Sequence, residues 1–263
     1  MPVVDSTAGP IWYLQRGNGV PLVMVHGAGG TARHWGYQLS GLKESASALA
    51  LDLPGHGRSP GPPPRTISDA GKLLLQWMDA LHLPQAVLMG HSMGGAIVQW
   101  LALNAPERLL GLILVATGAR LRVAPTILEG ISQDFAATTQ LITQLSYRPA
   151  TPPAIIAQAV AELRTMPPAV LHNDYAACDA WDAMTRVSAI TVPTLILVGE
   201  QDRMTPLKYS QWLHERIAGS QLVIIPAAGH MVMVEQADIV NRTIGAWLSA
   251  VILPTIRYNS SGN

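Results

Sequence analysis

The chain has few charged residues and a single cysteine among its 263 residues, and each shortage excludes a class of protein. Cys178 has no partner in the sequence, so a fold held by internal disulfides is excluded. Charged residues make up 13%, and 17 basic side chains balance 17 acidic ones, so nothing favours a nucleic-acid partner. No apolar run is long enough to span a bilayer, and the first residues lack a signal-peptide pattern. We therefore expect a cytoplasmic protein without a membrane partner.

Hydrophobic residues make up 49% of the chain, which favours a large buried core. Up to residue 118, short apolar runs typical of strands alternate with helical patterns. Strands are predicted at residues 11–15, 22–25, 47–51, 86–89 and 112–115. This alternation predicts an α/β protein with a mostly parallel, doubly wound sheet that has helices on both faces.

Between residues 119 and 188 strand patterns vanish, and alanine, threonine and proline dominate. Helical segments are predicted near residues 126–135, 153–164 and 168–184. The alternation then resumes, with strands at 193–198 and 222–225 and helices at 207–217 and 239–251. We interpret residues 1–118 and 189–263 as one core domain and residues 119–188 as an inserted helical lid, or cap. The last residues, 259–263, are expected to form a frayed tail.

Residues 90–95 read Gly-His-Ser-Met-Gly-Gly and lie between an apolar strand pattern and a helix pattern. This is the Gly-x-Ser-x-Gly pattern of a nucleophile elbow, a sharp turn that exposes its serine. Gly90 and Gly94 fit the elbow because a β-carbon at either position would collide where strand and helix approach each other. The pattern predicts Ser92 as a nucleophile, and a plain glycine-rich turn is the alternative.

A serine hydroxyl needs a general base within hydrogen-bond reach, and that base needs an acid to orient it. In this architecture the acid and the histidine follow the serine in that order along the chain. Asp202 comes just after the predicted strand 193–198, and His230 lies in the loop before the last helix. Loops at the carboxyl ends of parallel strands meet in space, so these side chains can converge on Ser92. The alternatives are a helix-capping Asp202 and a structural, buried His230.

A tetrahedral intermediate needs two fixed backbone donors, for which we predict the amides of Ala28 and Met93. Ala28 lies in the glycine-rich segment 26–30, which matches neither phosphate-binding loop pattern. Residues 214–218 lack the second histidine of a zinc helix, so no metal is predicted. His91 is expected to face the sheet interior. Candidate substrate-binding side chains are His34, Met166, Trp181 and Met231, with core packing or a surface position as the alternative.

Five segments together resemble the α/β-hydrolase family: residues 26–30, 52–59, 90–95, 199–202 and 228–230. The resemblance covers nearly the whole chain, and it implies an α/β-hydrolase fold and a serine hydrolase without a cofactor. It maps the family's nucleophile, acid and base onto Ser92, Asp202 and His230, and its oxyanion donors onto Ala28 and Met93. It also implies that segment 52–59 organises structure beside the site, so that neither Asp52 nor His56 is catalytic.

These residues predict a serine hydrolase that cleaves small or medium carboxylic esters, with lactones as a further substrate class. Residues 92–95 and 99–102 resemble the enol-lactone hydrolases. Carbon–carbon hydrolases of the family usually carry Trp after the histidine, where this chain has Met231. The alternatives are such a hydrolase, an aminopeptidase or amidase that binds an amine with cap acids, and a non-catalytic ligand receptor. The sequence decides neither the physiological substrate nor whether the protein is a monomer or a homodimer.

Overall fold

The computed structural model describes residues 3–6 and 9–254, and eight β-strands form one sheet at its centre. The strands are β1 (Val3–Ser6), β2 (Gly9–Arg16), β3 (Val20–Val25), β4 (Ala46–Leu51), β5 (Ala86–His91), β6 (Leu109–Val115), β7 (Thr194–Gly199) and β8 (Gln221–Ile225). Their order across the sheet is β1-β2-β4-β3-β5-β6-β7-β8. Strands β3 to β8 pair in parallel, whereas β1 and β2 pair antiparallel. The predicted mostly parallel, doubly wound sheet is confirmed, and the predicted tail at 259–263 lies outside the described residues.

Helices cover both faces of the sheet because successive side chains of a strand point to opposite faces. The helices that pack on the sheet are α1 (Gly36–Gly41), α2 (Ile67–Ala80), α3 (Met93–Asn104), α8 (Leu207–Arg216), α9 (Val232–Glu235) and α10 (Ala237–Trp247). Val23 and Val25 of β3 belong to a hydrophobic cluster with residues of α2, α3 and α8. Leu22 and Met24 belong to a second cluster with residues of α1, α9 and α10. In the described part of the chain, no helix has both the length and the apolar character needed to cross a membrane.

Four further helices lie between β6 and β7, and we call them the cap helices. They are α4 (Pro125–Gln133), α5 (Phe135–Ser146), α6 (Pro153–Leu163) and α7 (Pro168–Ala180). Three of them begin with proline, which is tolerated at the first helical position. They share a small hydrophobic cluster that includes Ile127, Ile142 and Leu171. The extent of the cap as a separate unit, residues 119–188, stays a prediction.

The sequence-based prediction missed one cap helix, α5. Helix α5 is rich in threonine, and the hydroxyls of Thr139 and Thr143 each donate to the carbonyl four residues earlier, at 2.8 Å. Such bonds let hydroxyl side chains sit inside a helix despite their low propensity. Helix α2 is capped by the Thr66 hydroxyl, which accepts the amide of Asp69 at 3.0 Å.

Candidate active site

Ser92 lies in the tight turn between β5 and α3, with φ of 52° and ψ of −113°. This positive φ is unfavourable for a residue with a side chain, at about 1–3 kcal/mol, so the surroundings must hold it. The amide of Ser92 donates to the carbonyl of Val115 at 3.0 Å, and its carbonyl accepts the hydroxyl of Thr117 at 2.8 Å. These two bonds, to the last residue of β6 and to Thr117 just beyond it, hold the serine backbone in the turn.

Glycines leave room for this turn. A β-carbon at Gly90 would overlap the carbonyl group of Gly94, and one at Gly94 would overlap the carbonyl of Val25. The strand, the turn and the helix therefore approach more closely than any larger residue permits, in agreement with the spacing of residues 90–94.

His230 lies in the loop between β8 and α9, and Asp202 follows β7. The His230 Nδ1 atom is 2.9 Å from Oδ2 of Asp202, and both residues are buried. The other carboxylate oxygen of Asp202 accepts the amides of Met204 and Thr205, each at 2.8 Å. Asp202 thus contacts the histidine and also holds the turn before α8, whose N-cap residue is Pro206 and not Asp202.

The surroundings of Asp202 keep it ionised. Burial alone would raise its pKa, but the nearby His230 and the hydrogen bonds from His230 and Thr205 outweigh burial and lower the pKa below its usual value. The Thr205 hydroxyl, which the sequence did not single out, donates to Oδ2 of Asp202 at 2.9 Å and lies 3.2 Å from Nδ1 of His230. It is a second oxygen within reach of the same imidazole nitrogen.

Ser92 and His230 both line a cavity of about 1130 Å³ that loops of the core and helices α5, α6 and α7 enclose. Three of the predicted substrate-binding side chains line it as well: His34, Met166 and Met231. The structure instead places Trp181 in the hydrophobic core, 8% exposed, in the cluster that holds Ala183 and Val187. Trp181 follows the last residue of α7, where the chain returns to the core, and a large apolar side chain fills that junction. It is therefore not a wall of the cavity.

Among the described residues, two backbone amides near Ser92 have no hydrogen-bond acceptor in the protein. Met93 is the first residue of α3, so its amide has no carbonyl four residues earlier inside the helix. Ala28 lines the cavity in the turn after β3, and within residues 9–254 its amide makes no hydrogen bond. The neighbouring amides of Gly29 and Gly30 are engaged with Asp174 and Gly27.

His91 was expected to face the sheet interior, but it lines the cavity and contacts the His230 loop. Its ring centre is 4.6 Å from that of His230, and its Nε2 lies 3.1 Å from the carbonyl oxygen of His230. A carbonyl only accepts, so Nε2 carries the proton. Burial, and then the neighbouring His230, lower the pKa of His91 well below its usual value, so the ring is neutral.

The segment 52–59 lies beside the site and shapes it. Asp52 is buried and accepts the amides of Ala32 at 2.7 Å and Arg58 at 2.9 Å, so its oxygens hold two turns together. His56 is bonded to Asp174 of α7. These contacts are the structural task that the family resemblance implied for this segment.

Of the acidic cap residues that could bind an amine, only one faces the cavity within the described chain. Glu162 lines it, whereas Asp134 caps α5 and Asp179 accepts the amide of Val123. Glu129 is exposed. Within the described residues, no three His, Cys, Asp or Glu side chains cluster closely enough to hold a metal ion.

Comparison with known proteins identifies the class. The sequence profile of the alpha/beta hydrolase family matches residues 22–243. The chain therefore belongs to the α/β-hydrolase family, as the five motif segments suggested.

Several relatives share about three tenths of their residues with the chain. It is 29% identical over 230 residues to a pimeloyl-[acyl-carrier protein] methyl ester esterase of Neisseria meningitidis, covering 82% of this chain and 88% of that protein. It is 29% identical over 247 residues to 3-oxoadipate enol-lactonase 2 of Acinetobacter baylyi, covering 86% and 87%. It is also 29% identical over 254 residues to the dihydrolipoyllysine-residue acetyltransferase component of the acetoin cleaving system of Pseudomonas putida. There it covers 90% of this chain but spans only 66% of the relative's length.

A solved structure of a thermophilic esterase matches the fold closely. The TM-score is 0.85 at 34% sequence identity, and the match covers 95% of this chain and 97% of the esterase chain. The fold of the chain thus has a counterpart in a solved esterase structure over nearly its whole length.

Proposed function

We propose that the chain is a serine hydrolase that cleaves small or medium carboxylic esters through an acyl-enzyme on Ser92. The observation that carries the proposal is the 2.9 Å hydrogen bond between buried Asp202 and His230, whose ring faces the cavity that Ser92 also lines. The names of two relatives, a methyl ester esterase and a thermophilic esterase, support ester hydrolysis. The enol-lactonase supports lactones, which are cyclic esters, as a second substrate class.

Acylation follows from the roles of the three side chains. The Ser92 hydroxyl attacks the ester carbonyl carbon while Nε2 of His230 accepts its proton. Asp202 keeps the other imidazole proton on Nδ1 and stabilises the imidazolium as it forms. The carbonyl oxygen becomes an oxyanion, for which the free amides of Ala28 and Met93 are the proposed donors. Collapse of the intermediate breaks the bond to the leaving alcohol, which takes the proton from Nε2.

Deacylation uses the same groups with water in place of the alcohol. His230 removes a proton from a water molecule as the water oxygen attacks the acyl carbon on Ser92. The second tetrahedral intermediate collapses, the proton returns to the serine oxygen, and the carboxylic acid leaves. No redox step or added cofactor enters this sequence.

Strain at Ser92 supports catalysis over binding alone. A receptor on the same fold would need the cavity but neither a serine at a φ of 52° nor a buried carboxylate on a histidine. Strained backbone and paired titratable groups concentrate at sites of chemistry. The lining of the cavity includes Ile142, Leu163 and Met166, which suits the acyl group of an ester.

The test combines active-site labelling with a substrate panel. A fluorophosphonate should label Ser92, located by mass spectrometry, and p-nitrophenyl esters of graded chain length should be hydrolysed faster than an aminoacyl anilide. Ser92→Ala should lower kcat on the order of a million-fold, as nucleophile loss does in serine proteases. Ser132→Ala, which changes an exposed cap serine, is the matched control and should leave kcat unchanged. Labelling of another residue, or a Ser92→Ala rate near wild type, would overturn the proposal.

A further inference from the structure

We propose that Asp174, a cap residue on α7, is a positioning residue for the oxyanion hole. The inference rests on the proposed function, because it concerns the donor assigned above to Ala28. It extends the site from the core of the fold into the cap.

A single oxygen of Asp174 links the cap to two core segments. Its Oδ2 accepts the amide of Gly29 at 2.8 Å and lies 2.8 Å from Nε2 of His56. The Asp174 side chain is 3% exposed and that of His56 is fully buried. Gly29 is 145 residues from Asp174 in the chain, so only the folded cap makes this contact.

The contact fixes the peptide plane next to the proposed donor. Gly29 directly follows Ala28, so the plane that carries the Gly29 amide and the plane that carries the Ala28 amide meet at the Ala28 α-carbon. Gly29 adopts a φ of 65°, and a β-carbon there would meet the side chains of Leu163 and Leu171 in the cap. The cap therefore packs against this turn and also hydrogen-bonds to it. Asp174 holds one plane, and thereby limits how the other can rotate.

Hydrogen bonding defines the charge of His56. Its Nδ1 lies 3.1 Å from the carbonyl oxygen of Pro54, and its Nε2 faces the Asp174 carboxylate. Both neighbours are acceptors, so both ring nitrogens carry protons and the ring is an imidazolium. Burial alone would lower the pKa of His56, but the hydrogen bond and the charge of Asp174 outweigh burial and raise it. The same carboxylate oxygen of Asp174 therefore accepts from the His56 ring and from the Gly29 amide.

The adjacent His26 does not compete for this carboxylate. Its ring centre is 4.8 Å from that of His56, its Nε2 accepts the amide of Leu53 at 3.1 Å, and its Nδ1 lies 2.8 Å from the carbonyl of Gly27. One nitrogen accepts and the other donates, so His26 is neutral. The positive charge beside Asp174 therefore belongs to His56.

Loss of Asp174 should act on the transition state more than on substrate binding. The turn keeps its own bond, from the Gly30 amide to the Gly27 carbonyl at 3.0 Å, so it persists but loses its external anchor. Removing an oxyanion donor costs about 100- to 1000-fold in kcat, and displacing a group by about 1 Å costs about 100-fold. We expect kcat to fall about 10- to 100-fold, with KM changed less than about threefold.

The test measures oxyanion stabilisation directly in Asp174→Asn and Asp174→Ala. A boronic acid adds to Ser92 as a tetrahedral adduct whose oxygen occupies the oxyanion hole, whereas the product alcohol binds without it. The Ki of the boronic acid should rise in parallel with the loss of kcat/KM, while the Ki of the alcohol stays constant. The matched control is Asp182→Asn, because Asp182 also accepts a backbone amide, that of Met184 at 3.0 Å, but does so in the loop after α7.

A second variant tests whether the ion pair acts through Asp174. His56→Gln should lower kcat by less than Asp174→Ala does, and the double variant should lose no more than Asp174→Ala alone. If Asp174→Ala does not fold, the nearly isosteric Asp174→Asn and His56→Gln carry the same test. An unchanged kcat, or a reduced kcat with an unchanged boronic acid Ki, would overturn the role of Asp174. An inactive wild type that the fluorophosphonate does not label would instead refute the proposed function.

Discussion

Two substitutions of Asp202 should affect activity and stability differently: Asp202→Asn should lose more activity, and Asp202→Ala should lose more stability. Asn keeps a carbonyl that can accept the amides of Met204 and Thr205, so Asp202→Asn should cost little stability. Its amide NH₂ then takes the place of Oδ2, 2.9 Å from Nδ1 of His230. A donor there forces Nδ1 to accept, which moves the imidazole proton to Nε2, the atom that must receive the serine proton.

The magnitudes follow from the contacts. The wrong tautomer should lower kcat by about 1,000- to 10,000-fold, or about 4 to 5.5 kcal/mol at 1.36 kcal/mol per factor of ten. Asp202→Ala introduces no amide donor, and the Thr205 hydroxyl, 3.2 Å from Nδ1, becomes free to accept the Nδ1 proton. The tautomer survives and only the charge is lost, so we expect a loss of about 100- to 1,000-fold. Because two amides lose their acceptor, this variant should be destabilised by about 1–3 kcal/mol.

The assay is kcat on a p-nitrophenyl ester, paired with calorimetric unfolding to verify that each variant is folded at the assay temperature. The alanine variant should be the more active and the less stable of the two. Adding Thr205→Val to Asp202→Ala should remove the advantage and bring kcat to the level of the asparagine variant. An asparagine variant more active than the alanine variant would refute the tautomer reasoning, and so would a double variant that keeps the advantage.

Three further outcomes follow from the structure. Burial holds the pKa of His26 and of His91 well below the usual value, so both are neutral when folded and gain protons on unfolding. Their contribution to stability is complete above about pH 6.5 and is lost below it, at up to about 1.4 kcal/mol per pH unit for each. Urea unfolding should show this slope, and His91→Gln should reduce it. Gly90→Ala should yield little folded protein by circular dichroism, since its β-carbon overlaps a carbonyl of α3, and soluble, active enzyme would contradict this. Glu235, a buried carboxylate that accepts the amide of Gly229 at 2.7 Å, holds the turn before His230, so Glu235→Gln should lower kcat about tenfold with KM unchanged. A change confined to the melting temperature would give Glu235 a structural role only.

The central strands of the sheet could be predicted because each is a short apolar run in the sequence. Strand β5 and its elbow follow from residues 86–95 alone, since an apolar run and two glycines admit few other conformations. Strand β1 was missed because it has four residues at the sheet edge, with Val3 52% exposed, and so carries no burial pattern. Helix α5 was missed because its threonines favour loops unless tertiary packing overrides propensity.

Part of the candidate site could be predicted because a nucleophile, an acid and a base follow one another in a fixed order along a chain of this architecture. Ser92, Asp202 and His230 follow from that order, and the structure places a hydrogen bond between the last two. Asp174 could not be found this way because its partner Gly29 is 145 residues distant, and only the folding of the cap onto the core brings them together. Trp181 was wrongly predicted to bind substrate. A large apolar side chain suits a pocket wall and a core equally well, and only the path of the backbone decides between them.

The cap contributes to the proposed oxyanion hole and to the proposed triad, because it is hydrogen-bonded to loops of the core beside each of them. Asp174 of α7 accepts the amide of Gly29, in the turn of the proposed oxyanion hole. At the end of α5, the carbonyl of Ser146 accepts the amide of Met231 at 3.0 Å, and the carbonyl of Tyr147 accepts a guanidinium nitrogen of Arg203 at 3.0 Å.

Met231 and Arg203 directly follow the histidine and the acid of the proposed triad. A rigid-body swing of the whole cap would break these bonds, each worth about 0.5–3 kcal/mol, and would release both loops from their catalytic positions. Substrate entry is therefore better served by local movement of cap side chains. Removal of the Arg203 or the Asp174 side chain should therefore change kcat, whereas substitutions at the apolar cavity wall should change KM.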